Sequence, residues 1–474
     1  MESVVIDRGG DPAGEQPGDD GAAARGVENP FLTGIHAPMR EELTLTALAV
    51  EGAIPAGLDG RYLRIGPNPA AKQGPAYHPF TGDGMVHGVA LSGGKAVWYR
   101  NRWIRSAKVA EALGVEAAPG PLHRFGTVNT NVMQIGGETY ALVEAGSYPV
   151  ALGETLDAQR YDPFGGTLHG SFSGHPHLDP LTGECHAICY DIGCADEIRH
   201  VSVDARGQVL RELPIPVSDG PMIHDCALTG RFVIILDFPV TMAAEARAGG
   251  NPFPYRWNTA HPARVGLLPR QGTAEDIIWC EVAPSFAFHV VNAFDRADGK
   301  VVLDLCVYRS MFTQGMAGMG AEFRALERWV LDPAGRSCET SVIDLAVQEF
   351  PRMDDRFFGQ EYRYAWTMAM PDETSAGGAL YAYDLQAGSR LVHDFGAGRL
   401  PGEFVFIPET PESAEGEGWL AGLVIDYAHE TTDLVILDAR RFEAAPVASV
   451  HLPHRVPPGF HGNWIAATCV AGVA

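Results

Sequence analysis

Short runs of apolar residues recur along the chain and are separated by segments rich in Gly, Asp and Pro. A strand crosses a sheet in a few residues and then turns, whereas a helix needs a longer stretch with a period of about 3.6 residues. Helical periodicity is scarce, and its best example is the short segment SAKVAEALGV (106–115). The pattern predicts strands, most clearly in ETYALVEAG (138–146), RFVIILDF (231–238), KVVLDLCVY (300–308), ALYAYDL (379–385) and DLVILDA (433–439).

Several of these runs end in an Asp-containing turn, and the next run begins a few residues later, as in HLDPLTGECHAICYD and NAFDRADGKVVLDLCVY. Runs joined by such short turns predict antiparallel meanders. The number of short apolar runs indicates more strands than a single open sheet holds. A radial array of four-stranded blades protects the strand edges at about this spacing, so the pattern favours an all-β propeller.

The N-terminal residues differ in composition from the rest of the chain. Residues 1–27 are rich in Gly, Ala, Asp and Pro and contain few large apolar side chains, so we expect a disordered tail. No later stretch resembles a flexible linker. We therefore predict one folded domain over residues 28–474, and a closed propeller of this kind is expected to be a monomer.

Charge excludes some classes of partner. The chain has 474 residues, with 35 basic and 59 acidic side chains, and a formal net charge of −24. Such a surface repels phosphate, so nucleic acid is not an expected partner, and attraction to anionic lipid is disfavoured. No apolar run reaches the length of about 18 residues that a membrane span needs.

The first residues also bear on the compartment. They lack the basic start and apolar core of a signal peptide, which predicts a cytoplasmic protein. The eight cysteines fit this expectation, because their spacings match no standard zinc pattern and several lie inside strand-like runs. We expect reduced, buried thiols.

Four of the 17 histidines stand apart, because each lies beside an apolar segment and near a Gly, Pro or Asp. They are His175 (SGHPHLDP), His224 (PMIHDCAL), His289 (FAFHVVNAF) and His461 (GFHGNWI), separated by 49, 65 and 172 residues. These gaps are near multiples of a blade, so four blades would bring them to one axis. Imidazole suits divalent Fe, Cu, Zn and Ni. Taken singly, each histidine is better explained as a core residue with satisfied hydrogen bonds, and spacing does not prove convergence.

At these segments the sequence resembles the carotenoid cleavage oxygenases, a family that includes carotenoid, apocarotenoid and lignostilbene dioxygenases and the retinoid isomerase of the eye. The resemblance covers residues 30–470 and rests on an ordered set of motifs: GRYLRIGPNP (60–69), YHPFTGDGMVHGV (77–89), WYRNRWIRS (98–106), NTNV (129–132), GHPHLDP (174–180), IHDCALT (223–229), EFPRMDDRF (349–357), GEFVFIP (402–408) and GFHGNW (459–464).

The resemblance implies a seven-bladed β-propeller, capped by loops and short helices, with Fe(II) on its axis. The family's four iron-binding histidines fall on the four singled out above. Its three glutamates that accept a ring N–H from an iron ligand fall on Glu144, Glu349 and Glu403. Thr130 occupies a position near the open iron site and is expected to restrict which iron position solvent or O2 reaches.

The implied reaction is oxidative cleavage of a conjugated C=C bond by O2 to two carbonyl products. We expect Trp103, Val143, Phe253 and Phe288 to line an apolar substrate tunnel, whose entrance would touch a membrane transiently to collect a lipid-soluble substrate. Lignostilbene-type members grip a phenol with a Lys at the position of Val143 and a Tyr aligned with Trp103. Val and Trp supply no such contact, which favours a carotenoid or apocarotenoid.

Three alternatives remain at this point. A stilbenoid or phenylpropenoid would be the substrate if other residues bind the phenol. An iron-dependent isomerase, as in the visual-cycle branch, is disfavoured by motifs that look bacterial. A propeller that serves only as a binding scaffold would not need all four histidines and all three glutamates, and all seven are present.

Overall fold

Seven antiparallel sheets form the blades of a propeller in the computed structural model, which describes residues 29–74, 77–248, 253–314, 320–371 and 377–467. Blades two to six each take four strands of the chain. From the axis outwards these are Asn131–Ile135, Glu138–Leu142, Val150–Leu152 and Gln159–Tyr161; His177–Leu178, Cys185–Cys189, Glu197–Val203 and Val209–Pro216; Cys226–Leu228, Phe232–Asp237, Arg264–Pro269 and Ile278–Glu281; Val290–Asp295, Val301–Ser310, Glu322–Asp332 and Ser337–Asp344; Gln348–Met353, Tyr364–Ala369, Ala379–Asp384 and Ser389–Asp394.

Blades one and seven combine strands from both ends of the described chain. From the outer edge inwards, blade one has the order Thr44–Leu45, Lys95–Trp103, Gly84–Ser92, Gly60–Pro67 and Gly462–Ala466. Blade seven has the order Ala49–Gly52, Ala448–Leu452, Thr431–Asp438, Gly418–Asp426 and Val405–Pro408, and Arg399–Pro401 also pairs with Gly418–Asp426. The ring is thus closed twice by hydrogen bonds, which fixes the segment that carries His461.

The hydrophobic core lies between neighbouring blades. Every residue of the strand Phe232–Asp237 is buried, because both faces of a blade are covered by the blades beside it. The outermost strand Ser337–Asp344, which has no such cover, is mostly exposed. One buried cluster joins Leu58 and Tyr62 of the first-blade region to Leu434 and Val450 of blade seven.

Helices are few in the described residues. The α-helix predicted at 106–115 is Ala107–Leu113, where Ser106 Oγ accepts from the Val109 N–H at the start and Gly114 ends it at φ 66°. A second α-helix is Ala244–Ala248. The 3-10 helices are Pro30–Leu32, Gly34–His36, Pro79–Thr81, Ala274–Asp276, Asp355–Phe357 and Ala439–Arg441.

Blade four carries an insertion between its second and third strands. The paired strands Val240–Met242 and Tyr255–Trp257 form this small sheet. No helix within the described ranges is long and apolar enough to cross a bilayer. The tail predicted at residues 1–27 lies outside the described residues, and the single domain at 28–474 stays a prediction.

Candidate metal centre and adjoining cavity

The four histidines precede the innermost strands of four blades. His175 lies two residues before the strand His177–Leu178, and His461 lies directly before Gly462–Ala466. His224 lies two residues before the strand Cys226–Leu228 of blade four, and His289 lies directly before the strand Val290–Asp295 of blade five. Because the chain enters each blade at the same end of the axis, the four side chains meet there.

Their rings lie close together. The ring centroid of His175 is 4.3 Å from that of His224, 5.0 Å from that of His289 and 4.6 Å from that of His461. The ligand nitrogens of His175, His289 and His461 all lie within 4.8 Å of one another. His177, two residues from His175, turns away and its Nε2 lies 2.7 Å from Asp225 Oδ1. The convergence that spacing did not prove is therefore present in the structure.

Three glutamates hold the far side of three of these rings. The Nδ1 of His224 is 3.0 Å from either carboxylate oxygen of Glu144. The Nδ1 of His289 is 2.5 Å from Glu349 Oε2, and that of His461 is 3.0 Å from Glu403 Oε1. An ionised carboxylate only accepts, so Nδ1 carries the proton and Nε2 keeps its lone pair.

The residues present fit a metal ion. The Nε2 atoms of His175 and His289 are buried and have no hydrogen-bond partner among the described residues. A buried polar atom without a partner is costly, and a cation at the centre of the cluster would satisfy several such lone pairs at once. A set of neutral imidazoles suits a divalent transition metal.

The electrostatics favour this protonation pattern at His175 and at Glu403. Burial, with the three neighbouring imidazoles, holds the pKa of His175 well below its usual value, so this ring stays neutral. Burial would raise the pKa of Glu403, but Arg352, His461 and the Gly462 N–H outweigh it and lower the value to about 2. Glu403 is thus a fixed negative charge behind His461.

Backbone strain occurs next to two of the glutamates. Ala145 has φ 55° and Phe350 has φ 52°, in the left-handed region that residues with a side chain rarely adopt. Phe350 follows Glu349 at a break in the register of its strand, and its N–H donates to Glu349 Oε2 at 2.9 Å. Such strain is retained where the surroundings fix the geometry of a site.

Thr130 packs beside the chain that carries His175. Its Oγ1 donates to Asn129 Oδ1 at 3.1 Å, and its carbonyl accepts from the His461 N–H at 3.1 Å. A Cβ on Gly174 would lie 2.7 Å from Thr130 Cγ2, so only glycine allows this approach. The threonine thus contacts the backbone of two of the four histidine segments.

A cavity of about 820 Å³ opens beside the histidines. Val143, Phe253 and Phe288, three of the residues expected along a substrate tunnel, line it, and so do Thr130, His224, His289 and His461. Trp103 does not line this cavity. Its indole N–H donates to the Asn68 carbonyl at 2.7 Å and its ring packs with Met85 and Val109 in a separate core. The substrate contact predicted for Trp103 is corrected to core packing.

Sequence analysis missed much of the cavity wall. The missed aromatic side chains are Phe80, Tyr190, Tyr255, Tyr308, Phe323, Phe350 and Phe460. The Tyr190 hydroxyl interacts with Glu144 and the Tyr308 hydroxyl with Glu349, and burial with these carboxylates raises the pKa of both tyrosines far above its usual value. Phe80, Phe350 and Phe460 lie in the quoted motifs, so membership in a motif was their only signal.

Comparisons with known proteins agree with this geometry. The family model described as retinal pigment epithelial membrane protein matches residues 36–466. The carotenoid cleavage oxygenase of Mycobacterium tuberculosis is 38% identical over 94% of this chain and 99% of its own length.

Two solved structures have the same fold. Pseudomonas brassicacearum lignostilbene dioxygenase has a TM-score of 0.84 and 26% identity, and the match covers 93% of this chain and 99% of that one. Cobalt-substituted Synechocystis ACO has a TM-score of 0.81 and 27% identity, with 91% and 97% covered. The chain belongs to the carotenoid cleavage oxygenase family, a family of non-haem iron oxygenases, and is an enzyme.

Proposed function

We propose that this protein is a non-haem Fe(II) dioxygenase that cleaves a conjugated C=C bond of a carotenoid or apocarotenoid to two carbonyl products. The observation that carries the proposal is the position of the histidine cluster, three of whose members, His224, His289 and His461, form part of the wall of a large cavity with mostly aromatic and aliphatic lining. A long polyene has no charge to pair and gains free energy from burial in such a cavity.

The metal assignment rests on the donor set. His175, His224, His289 and His461 would hold the ion, and Fe(II) bound there would supply the activation of O2 that the protein's own side chains lack. The reaction balances with one molecule of O2, because the C=C bond is broken and each of its carbons receives one oxygen atom as C=O. No acid–base pair is required of the protein.

The protein's own residues orient and protect the centre. Glu144, Glu349 and Glu403 each fix one imidazole by its Nδ1–H, so that the ring presents Nε2 to the ion. Phe288, whose ring centroid lies 4.9 Å from that of His224, covers the ligands on the cavity side. These apolar walls exclude water and hold the double bond beside the metal. Such positioning lowers the entropic part of the activation barrier.

Val143 is the observation that favours a polyene over a phenol. It lines the cavity next to Glu144, where lignostilbene-type members are expected to have a lysine. A buried lysine at this place would bind a phenolate oxygen, and valine offers only apolar contact. Trp103 packs in a separate core and therefore does not favour either class of substrate.

A stilbenoid or phenylpropenoid is the second candidate substrate. Tyr190, Tyr255 and Tyr308 bring three hydroxyl groups to the cavity, and these could bind a phenol without a lysine. The two candidates are separated by steady-state cleavage of β-carotene and of resveratrol by the iron-loaded enzyme. A higher kcat/KM for β-carotene supports the proposal, and a higher value for resveratrol would replace it with the second candidate.

A further inference from the structure

One histidine of the cluster is held differently from the other three. His224, His289 and His461 each have a glutamate at Nδ1, whereas the ring of His175 has no carboxylate partner in the described part of the chain. A carboxylate behind a ligand imidazole fixes the direction in which the ring points. The direction of His175 must therefore be set by the backbone that carries it and by packing.

Asn131, at the start of the innermost strand of blade two, holds that backbone. Its Nδ2 donates to the carbonyl of Gly174 at 2.9 Å in a buried contact. Its Oδ1 accepts from the Val132 N–H at 2.8 Å, which fixes the orientation of the amide. The Gly174 carbonyl belongs to the planar peptide that contains the nitrogen of His175, so this bond fixes the plane from which the ligand projects.

Asn131 is the last amide of a chain of donors that begins at a charge. Arg352 donates from Nη2 to Asn463 Oδ1 at 3.0 Å. Asn463 donates from Nδ2 to Asn131 Oδ1 at 3.3 Å and to the Val132 carbonyl at 2.9 Å. Each amide accepts on its oxygen and donates from its nitrogen, so the bonds point the same way and polarise one another.

The other end of this chain reaches His461. Arg352 donates from Nε to Glu403 Oε1 at 2.9 Å and from Nη2 to the Gly462 carbonyl. Glu403 in turn accepts from Nδ1 of His461. The chain of donors therefore joins the segment that carries His461 to the segment that carries His175.

The chain of donors lines a small cavity on the far side of the histidines. This cavity has a volume of about 120 Å³, and its wall comes largely from the innermost strands, so it lies on the propeller axis. His175, Asn131, Arg352 and Asn463 line it, and none of these four is among the described residues that line the large cavity. They therefore act on the metal centre from the side away from the substrate.

We propose that Asn131, supported by Asn463 and Arg352, is the positioning residue for His175 and replaces the glutamate that each of the other three histidines has. The inference rests on the proposed function, because it concerns a ligand of the metal centre. Without Asn131 the buried Gly174 carbonyl would lose its donor, and the backbone would shift toward another partner. A small shift of a ligand is enough to change the affinity and the geometry of a bound ion.

The test is metal binding by the full chain, with Co(II) as the probe. Cobalt accepts imidazole ligands, and its visible absorption depends on how they are arranged. Asn131→Leu removes the donor at nearly constant side-chain volume. The control is Gln134→Leu on the same strand, where the amide donates to the Gly137 carbonyl in an exposed contact.

We expect Asn131→Leu to lower Co(II) affinity about tenfold and to change the spectrum of the Co(II)-saturated protein, with Gln134→Leu unchanged in both. With saturating Fe(II), kcat for β-carotene should fall while KM stays within about twofold, because Asn131 does not contact the substrate side. A wild-type affinity and spectrum, with only a lower melting temperature of the metal-free protein, would make Asn131 a residue of the fold alone and overturn the inference.

Asn463→Leu tests the chain of donors behind Asn131 and replaces Asn131→Leu if that variant does not fold. It removes the donor to Asn131 and the acceptor for Arg352 but leaves the bond from Asn131 to Gly174. We expect about a threefold loss of Co(II) affinity, and a smaller loss when Asn131 is already replaced. Unchanged affinity in Asn463→Leu, or additive effects in the double variant, would overturn the support from Asn463 and Arg352.

Metal binding without turnover separates this inference from the proposed function. If Co(II) binding depends on Asn131 and the Fe(II)-loaded wild type cleaves no polyene, the positioning role stands and the proposed function fails. If polyenes are cleaved and neither the affinity nor the spectrum depends on Asn131, the proposed function stands and the positioning role fails.

Discussion

The Nδ1 atom of His289 lies 2.5 Å from Oε2 of Glu349, the shortest of the three histidine–glutamate contacts at the centre. The same oxygen accepts the N–H of Phe350, whose backbone is strained at φ 52° and whose ring lines the large cavity. One carboxylate therefore fixes both a metal-facing imidazole and the wall against which the substrate would lie.

Replacing Glu349 with Gln should impair the metal centre more than the fold. Gln keeps the shape and one acceptor but loses the charge that strengthens the bond from His289. We expect metal affinity to fall about 10- to 100-fold and kcat to fall with it. The melting temperature of the metal-free protein should change little. Glu339→Gln, at an exposed residue of the outermost strand of blade five, is the matched control. Wild-type iron affinity and turnover in Glu349→Gln would show that the contact has no such role.

His224→Ala should abolish most metal binding and turnover. The variant removes one imidazole of the cluster and leaves Glu144 without its Nδ1–H partner. Iron content after anaerobic loading and dialysis is the measurement, with the exposed His429→Ala as control. Full iron content with normal activity would remove His224 from the ligand set.

Gly174→Ala should disturb the metal centre through Thr130. The new Cβ would lie 2.7 Å from Thr130 Cγ2, and the backbone that carries His175 would have to move. We expect weaker iron binding, and partial recovery when Thr130→Ser removes the methyl group from the contact. A double-mutant cycle of iron affinity measures the coupling. Additive effects of the two substitutions would contradict direct contact.

Val143→Lys should depress polyene cleavage. The substitution places a positive charge where the cavity wall is apolar, and an apolar substrate cannot pair with that charge. We expect kcat/KM for β-carotene to fall at least about tenfold. Val143→Leu keeps the apolar character and should stay within about threefold of the wild type. Unchanged β-carotene kinetics in Val143→Lys would place the substrate elsewhere.

A pH dependence of stability is expected at His261. Its Nδ1 and Nε2 each lie 2.9 Å from a carboxylate oxygen, of Asp219 and Asp237. Burial lowers its pKa, but the two carboxylates outweigh this and raise it above the ordinary value. The stabilisation is full below the unfolded pKa of about 6.5 and is lost as pH rises through the folded pKa.

The check on His261 is urea unfolding of wild-type and His261→Asn metal-free protein between pH 6 and pH 9. The difference in unfolding free energy should shrink as pH rises. A difference that is constant across this range would show that charge at His261 does not stabilise the fold.

Sequence patterns predicted the strands well and the cavity poorly. RFVIILDF gave the strand Phe232–Asp237, because a run buried on both faces is recognisable without its partners. ETYALVEAG was drawn too long. Its strand ends at Leu142, and the chain then bends through Ala145 to present Glu144. Glu144 contacts His224, which is 80 residues away in the sequence, so the local sequence carries no signal of this bend.

The cavity illustrates the same limit. Tyr190, Tyr255 and Tyr308 come from three different parts of the chain, and nothing in their local sequence tells that they face one space. Trp103 shows the converse, since its place in a family motif suggested a substrate contact, yet its ring is buried beside Met85. Motifs locate the metal-facing residues, and tertiary packing decides what surrounds them.

The most direct test of the central claim is product analysis after anaerobic loading with Fe(II) and exposure to air. The substrates are β-carotene, an apocarotenal, resveratrol and isoeugenol, with mass spectrometry as the readout and His224→Ala as the control. The account predicts aldehydes from the polyenes that require both iron and His224. Aldehydes from the phenolic substrates alone would contradict the polyene assignment, and no cleavage of any substrate would contradict the proposed cleavage function.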